Sequence, residues 1–283
     1  MNNVFDESFC FSDFEQDLRI CALAARVCYS DESVYEILED QKVNGEMCSE
    51  YLNKIIKLKH YSVFSHDFIY KNNVDSLSLS SELFKSCYVD KETIGVSFRH
   101  FLENKKDFII PENINSNKIQ ILDKIENDDI KVYLLSANKE HHKYAALFVE
   151  GVSRVTSHQI VRYSSLNFCQ RSQRYCNEQN NKFLFPNMSY INNEQDRHEA
   201  TVKLQVFYEN QKKLYNELMS LGMRKEDARY TLPNAAETSF LMSGTIKNLK
   251  HFIEQRKDKH AQTEIRNMAN IVEELLDRNF CLS

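Results

Sequence analysis

Residues 151–175 read GVSRVTSHQIVRYSSLNFCQRSQRY, and both fold and function turn on this stretch. It holds Arg154, Arg162, Arg171 and Arg174, interleaved with Gln159, Gln170, Gln173, Ser164, Ser165 and Ser172. Guanidinium forks grip phosphate and carboxylate oxygens in pairs, while amides and hydroxyls complement a ribose or the edge of a pyrimidine. The first part has helical character, which would place Gln159 and Arg162 on one face at i,i+3, and His158 and Arg162 at i,i+4. The run YSSLN that follows favours a loop. A solvated helix and loop with ordinary surface charge has the same composition, since charged side chains are mostly exposed.

Upstream, Ala145–Val152 (AALFVEGV) is largely apolar and reads as a strand, as does the alternating His66–Tyr70 (HDFIY). Residues 14–29 place Leu18, Cys21, Ala22, Ala25 and Cys28 at helical spacing, and 47–60 repeat the pattern through Tyr51, Leu52, Ile55, Ile56 and Leu58. Residues 71–144 differ, being rich in Asn, Lys, Asp and Ser, and are expected to be an inserted, partly helical subdomain within a single 1–283 domain. Beyond residue 198 the chain reads as helical to its end. Val202, Val206, Leu214, Leu218 and Leu221 line one face with Gly222 as a stop, and 224–232 form a short helix closed by Pro233. Helices are then expected over 245–256 and 261–278, the latter turning Ile265, Met268, Val272, Leu275 and Leu276 inward.

Composition agrees with a helix-rich α+β class. Of 283 residues, 42% are hydrophobic and only 5 are Gly and 3 Pro, too few for a sandwich or barrel of many tight turns. A net charge of −5 argues against a nucleic-acid module and leaves room for a local basic pocket. No apolar run is long enough to cross a bilayer, and the acidic opening MNNVFDESFCFSDFEQ lacks a secretory pattern, so a cytoplasmic protein is expected. The eight cysteines include no CxxC pair; no metal site is expected, and most of these thiols read as small buried hydrophobes.

The segment SHQIVRYSSLNFCQRSQRY resembles the flavin-dependent thymidylate synthase signature R-H-R-x-x-S-x-N-E-x-S-x-R-Y, with Arg162, Ser172, Arg174 and Tyr175 at matching places. Further blocks occur in the same order: Ala24-Ala25-Arg26-Val27, His60-Tyr61-Ser62-Val63-Phe64-Ser65-His66, Ala228-Arg229-Tyr230-Thr231-Leu232-Pro233, and an ending from His251-Phe252 through Arg256 to His260-Ala261-Gln262-Thr263-Glu264-Ile265.

The resemblance implies that family's α+β fold, with a small antiparallel sheet. It also implies a homotetramer with active sites at subunit interfaces, and conversion of dUMP to dTMP with FAD as hydride carrier. Methylenetetrahydrofolate would be the one-carbon donor and NADPH the reductant. By position, Arg256 would stabilise charge on the uracil as the catalytic residue. Gln159, Arg162, Gln170, Arg171, Ser172, Arg174 and Arg229 would bind dUMP with it. His60, Ser62, Arg162, Tyr163, Ser164, Gln170, Thr245, His251 and His260 would contact FAD.

The sequence departs from the pattern at Arg162-Tyr163-Ser164 in place of R-H-R, at Gln170 in place of Glu, at Ser65 in place of Glu, and at Thr245 in place of Asn. These departures fall mainly on the flavin side. They leave open a dUMP 5-hydroxymethylase, or a non-catalytic nucleotide-binding paralogue. Cys169 is open to two readings, an active-site thiol or a buried neutral one; the first requires a lowered pKa.

Overall fold

Three strands that are apolar on both faces organise the molecule. In the computed structural model, which describes residues 18–72, 87–89, 93–104, 108–111, 117–127, 129–139 and 143–280, β5 (Lys131–Asn138), β6 (Tyr144–Ser153) and β8 (Glu237–Thr245) pair antiparallel. With β4 (Asp123–Glu126) and β7 (Asn167–Gln170) they form a five-stranded sheet of order β4-β5-β6-β8-β7. Successive side chains on a strand point to opposite faces. Val132, Leu134, Leu147, Val149, Phe240 and Met242 therefore join one core, and Tyr133, Leu135, Ala146, Phe148 and Leu241 the other.

Helices cover both faces. The core holding Tyr133 and Phe148 is closed by α1 (Leu18–Tyr29), α2 (Val34–Glu39) and α3 (Cys48–Lys57), and the core holding Val132 and Phe240 by α8 (Ile246–Arg256) and α9 (Thr263–Phe280). The result is a sheet between two helical layers, a way of burying two apolar sheet faces at once. Gly151 sits where β6 shifts register against β8, with φ +76°. A Cβ there would lie 1.7 Å from the Asp129 carbonyl oxygen, so only glycine fits.

A second, three-stranded sheet has order β1-β3-β2, with β1 at Phe68–Asn72, β2 at Cys87–Val89 and β3 at Thr93–Ser97, followed by α4 (Phe98–Asn104). The structure starts β1 at Phe68 because Tyr61–His66 is a 3-10 turn. Both sheets draw on the stretch 71–144, and β4 and β5 build its later part into the main sheet. Two asparagines hold the chain between: Asn53 and Asn44 each donate to and accept from the backbone of Ile110 and Ile119, all four bonds at 2.9 Å. The opening residues 14–17 and much of the Asn- and Ser-rich stretch lie outside the described residues.

The downstream helical expectation fails at 237–245, which is a central strand rather than helix. Its run Phe240-Leu241-Met242 is buried on both sides, and a short doubly buried strand carries no alternation to separate it from a buried helix. The apolar face expected of the long helix α6 (Glu194–Ser220) is not its buried one: Val206 is 52% exposed and the C-cap Leu221 84%, while Tyr208 and Tyr215 make the buried contact. Gly222 does stop α6, at φ +87°, with Gly222 and Met223 N–H groups donating to Met219 and Leu218 carbonyls at 3.0 Å in a Schellman closure. Among the described residues no helix is long and apolar enough to cross a membrane.

Candidate functional site

The short helix α5 (Arg154–Ile160) leaves β6 directly and is fixed at its N-cap, Ser153. The Ser153 hydroxyl accepts from Thr156 N–H at 3.2 Å, and Ser153 donates its N–H and hydroxyl to the two carboxylate oxygens of Glu264, both at 2.6 Å. Glu264, in the first turn of α9, thus ties the start of α5 to the C-terminal helical layer. The helix ends at Ile160 with Val161 as cap, so Arg162 lies beyond it in an exposed turn and does not share a helical face with Gln159 or His158.

One cluster gathers around the C-terminal end of α5 and the end of α8. The Gln159 side-chain amide donates to Gln262 Oε1 at 2.6 Å, and Arg256 Nη2 donates to the Gln159 carbonyl at 3.2 Å. Arg256 lies 5.9 Å from the Phe252 ring centroid, and its Nε is buried without a hydrogen-bond partner. Tyr163 packs edge-on to Phe252 at 5.4 Å, and its hydroxyl is hydrogen-bonded to His251 Nδ1. Burial raises the Tyr163 phenol pKa while the Arg256 charge opposes that. Ser164 and His260 are exposed nearby in sequence, the His260 N–H donating to Asp258 at 2.8 Å.

A second cluster forms along and after β7. Gln170 Nε2 donates to the Ser157 hydroxyl on α5 at 2.7 Å and to Thr238 on β8 at 3.2 Å. Arg171 lies 3.3 Å from Glu178, which is only 2% exposed and also accepts from Asn181. Arg174 pairs with Glu226 at 3.1 Å and lies 5.3 Å from the Tyr175 ring centroid; Arg229 Nε donates to the Glu226 carbonyl at 3.2 Å. The Ser172 N–H donates to the Cys28 carbonyl at 3.3 Å, which anchors this loop to the end of α1.

The remaining flavin-side candidates divide. His60 and Ser62 are exposed on a cavity of about 810 Å³ that Arg26, Tyr29, Tyr51 and Lys54 also line. Tyr29 connects this cavity to the second cluster, its hydroxyl 3.4 Å from His60 Nδ1 and its ring 4.7 Å from that of Tyr175. Thr245, by contrast, is buried and caps α8, accepting from Asn248 N–H at 3.2 Å. Cys169 is buried, and its hydrogen bond with Cys28 together with burial pushes the thiol up, the opposite of an activated nucleophile. His66 is wholly enclosed with Nδ1 2.7 Å from Ser243 Oγ, and burial lowers its pKa to about 3.

Sequence reasoning placed Arg154 only within the arginine cluster and assigned no role to Glu178, Gln262 or Glu264. Gln262 and Glu264 sit inside a quoted block, but their partners are about a hundred residues away in the chain. Glu178 stands in the polar run NEQNN, where nothing local announces burial.

The thymidylate synthase complementing protein family model matches residues 11–148 and 139–280. The flavin-dependent thymidylate synthase of Pyrococcus abyssi is 34% identical over 165 residues, covering 55% of this chain and 66% of that protein. That of Pyrococcus furiosus is 33% identical over 141 residues, 49% and 57% of the two chains. That of Corynebacterium efficiens is 30% identical over 143 residues, 45% and 55%. The chain thus spans between half and two thirds of the length of these relatives. With matches running from residue 11 to residue 280, this chain belongs to the thymidylate synthase complementing protein family.

Proposed function

We propose that this chain is a flavin-dependent thymidylate synthase that methylates dUMP at C5, taking the one-carbon unit from methylenetetrahydrofolate and reducing equivalents from NADPH. The observation that carries the reading is the Arg256–Gln159–Gln262 group. Arg256 keeps a buried, unspent N–H beside a carboxamide pair, a donor and acceptor set complementary to the O4 and N3–H edge of uracil. A fixed guanidinium there stabilises negative charge developing on the pyrimidine oxygen, which makes C5 nucleophilic. Because the Gln159 carbonyl and the Phe252 ring hold Arg256 beforehand, little reorganisation is required when that charge appears.

The cavity beside His60 and Ser62 suits FAD, offering Tyr29 and Tyr51 for a planar ring and Arg26 and Lys54 for its pyrophosphate. Tyr163 and His251 would extend that contact, with Ser164 and His260 at its rim; Thr245, spent as a cap, would support it from behind. When bound, the flavin supplies the hydride that completes the methyl group. A homotetramer would bring the clusters of neighbouring copies together, and the exposed apolar positions of α6, Val202, Val206, Phe207 and Leu214, supply a surface for it.

The test loads the purified chain with FAD and adds 5-tritiated dUMP, methylenetetrahydrofolate and NADPH. Tritium release with dTMP as the product is expected. A product one oxygen heavier than dTMP would move the assignment to hydroxymethylation, and absence of both release and dUMP binding would overturn it.

A further inference from the structure

Cys28, in the last turn of α1, lies against β7, the strand that ends the main sheet. Its sulfur accepts two hydrogen bonds from that strand, one from the Cys169 thiol and one from the Gln170 N–H. The Cys169 bond pulls the Cys28 thiol below its ordinary range; burial opposes, and the Gln170 N–H adds to the fall. The two sulfurs also differ in access. Cys28 is half-buried and lines the cavity of about 810 Å³ beside Tyr51 and His60, whereas Cys169 is 4% exposed. A third thiol, Cys176, engages the Cys28 carbonyl rather than its sulfur, at 3.9 Å, and burial pushes it up. Its neighbour Tyr175 is held in place by Lys225, the first residue of α7 (Lys225–Ala228), whose Nζ donates to the Tyr175 carbonyl at 2.9 Å.

An ionisable thiol open to a cavity, with a protonated thiol bonded to it from behind, has what oxidation to a disulfide requires: a thiolate to be attacked and a partner to resolve it. We propose that Cys28 and Cys169 are a redox-modification site, closing into a disulfide when hydrogen peroxide enters the cavity and reopening under a thiol reductant. The Cys28 thiolate attacks one peroxide oxygen; the S–O bond forms as the O–O bond breaks, and the leaving hydroxide takes up a proton as water. The Cys169 sulfur then attacks the Cys28 sulfur, the S–S bond forms, and the departing hydroxyl leaves with the Cys169 proton as a second water. Two thiols lose a pair of electrons and the peroxide gains it. The disulfide ties α1 covalently to β7 and takes the thiolate away from the Gln170 N–H. Oxidation therefore acts on the strand whose Gln170 side chain holds Ser157 on α5 and Thr238 on β8. The chemistry requires neither dUMP nor flavin.

Peptide mapping of the full chain after excess hydrogen peroxide and alkylation of the remaining thiols tests it. Trypsin leaves the cysteines concerned in separate peptides, Cys28 in 27–42, Cys169 in 163–171 and Cys176 in 175–182. The expected product is a conjugate of 27–42 with 163–171, two hydrogens lighter than the pair and abolished by dithiothreitol. The two thiols should be lost together, and in Cys169→Ser the Cys28 sulfur should stop at a sulfenic acid that dimedone captures. Recovery of both thiols alkylated after peroxide, or a conjugate of 27–42 with 175–182 instead, overturns the proposal. So does a conjugate that joins two chains, read from an equal mixture of nitrogen-14 and nitrogen-15 protein, or a Cys169→Ser chain that dimedone leaves unlabelled at Cys28.

Discussion

In the proposed reaction Arg256 is the residue on which the chemistry depends, and its substitution would separate binding from turnover. Arg256→Gln removes a fixed cation without emptying the core, so tritium release from dUMP should fall by about 10²-fold or more with the melting temperature nearly unchanged. Glu178 has the reverse profile. Glu178→Gln leaves Arg171 buried without its counter-charge, and denaturant unfolding should show a loss of about 3 kcal/mol. His66 ties stability to pH. Its folded pKa of about 3 lies below the unfolded value near 6.5, so neutral His66 gives its full stability above pH 6.5 and loses it as pH falls toward 3. The loss is about 1.4 kcal/mol per pH unit in that window. Urea titrations at pH 7 and pH 5 should show the drop, and a His66→Gln variant should lack its share of it.

Among the elements, β8 matters most, since β6 and β7 flank it on either side and its side chains enter both cores. Phe240→Ala should cost about 3–5 kcal/mol in chemical denaturation, the usual range for an emptied aromatic core position. The amphipathic helices α3 and α9 were legible because 3.6-residue periodicity survives when one side faces water. β8 was not, because burial on both sides erases the pattern that distinguishes strand from helix. β7 escaped for a different reason: four residues placed after a polar loop show too few alternations to count. The α6 stripe was visible as apolar spacing, yet spacing cannot say whether a stripe meets its own core or another molecule.

For the whole molecule, the exposed stripe leads to an assembly prediction. Sedimentation should give a mass near four times 33.4 kDa, and Val206→Lys combined with Phe207→Lys should shift it toward smaller species. A wild-type monomer at micromolar concentration would remove the tetramer from the proposal. Short motifs in order along the chain were sufficient for family membership, because they report local chemistry that each segment carries with it. The amphipathic helices and the Gly222 stop were likewise written in local patterns, as periodicity and backbone freedom require no distant partner. Tertiary structure alone decided that Glu178 is buried among arginines, that Glu264 holds the start of α5, and that Thr245 is a cap rather than an open site. Each of these depends on what packs against the residue, and burial and charge compensation are properties of neighbours that sequence order does not contain.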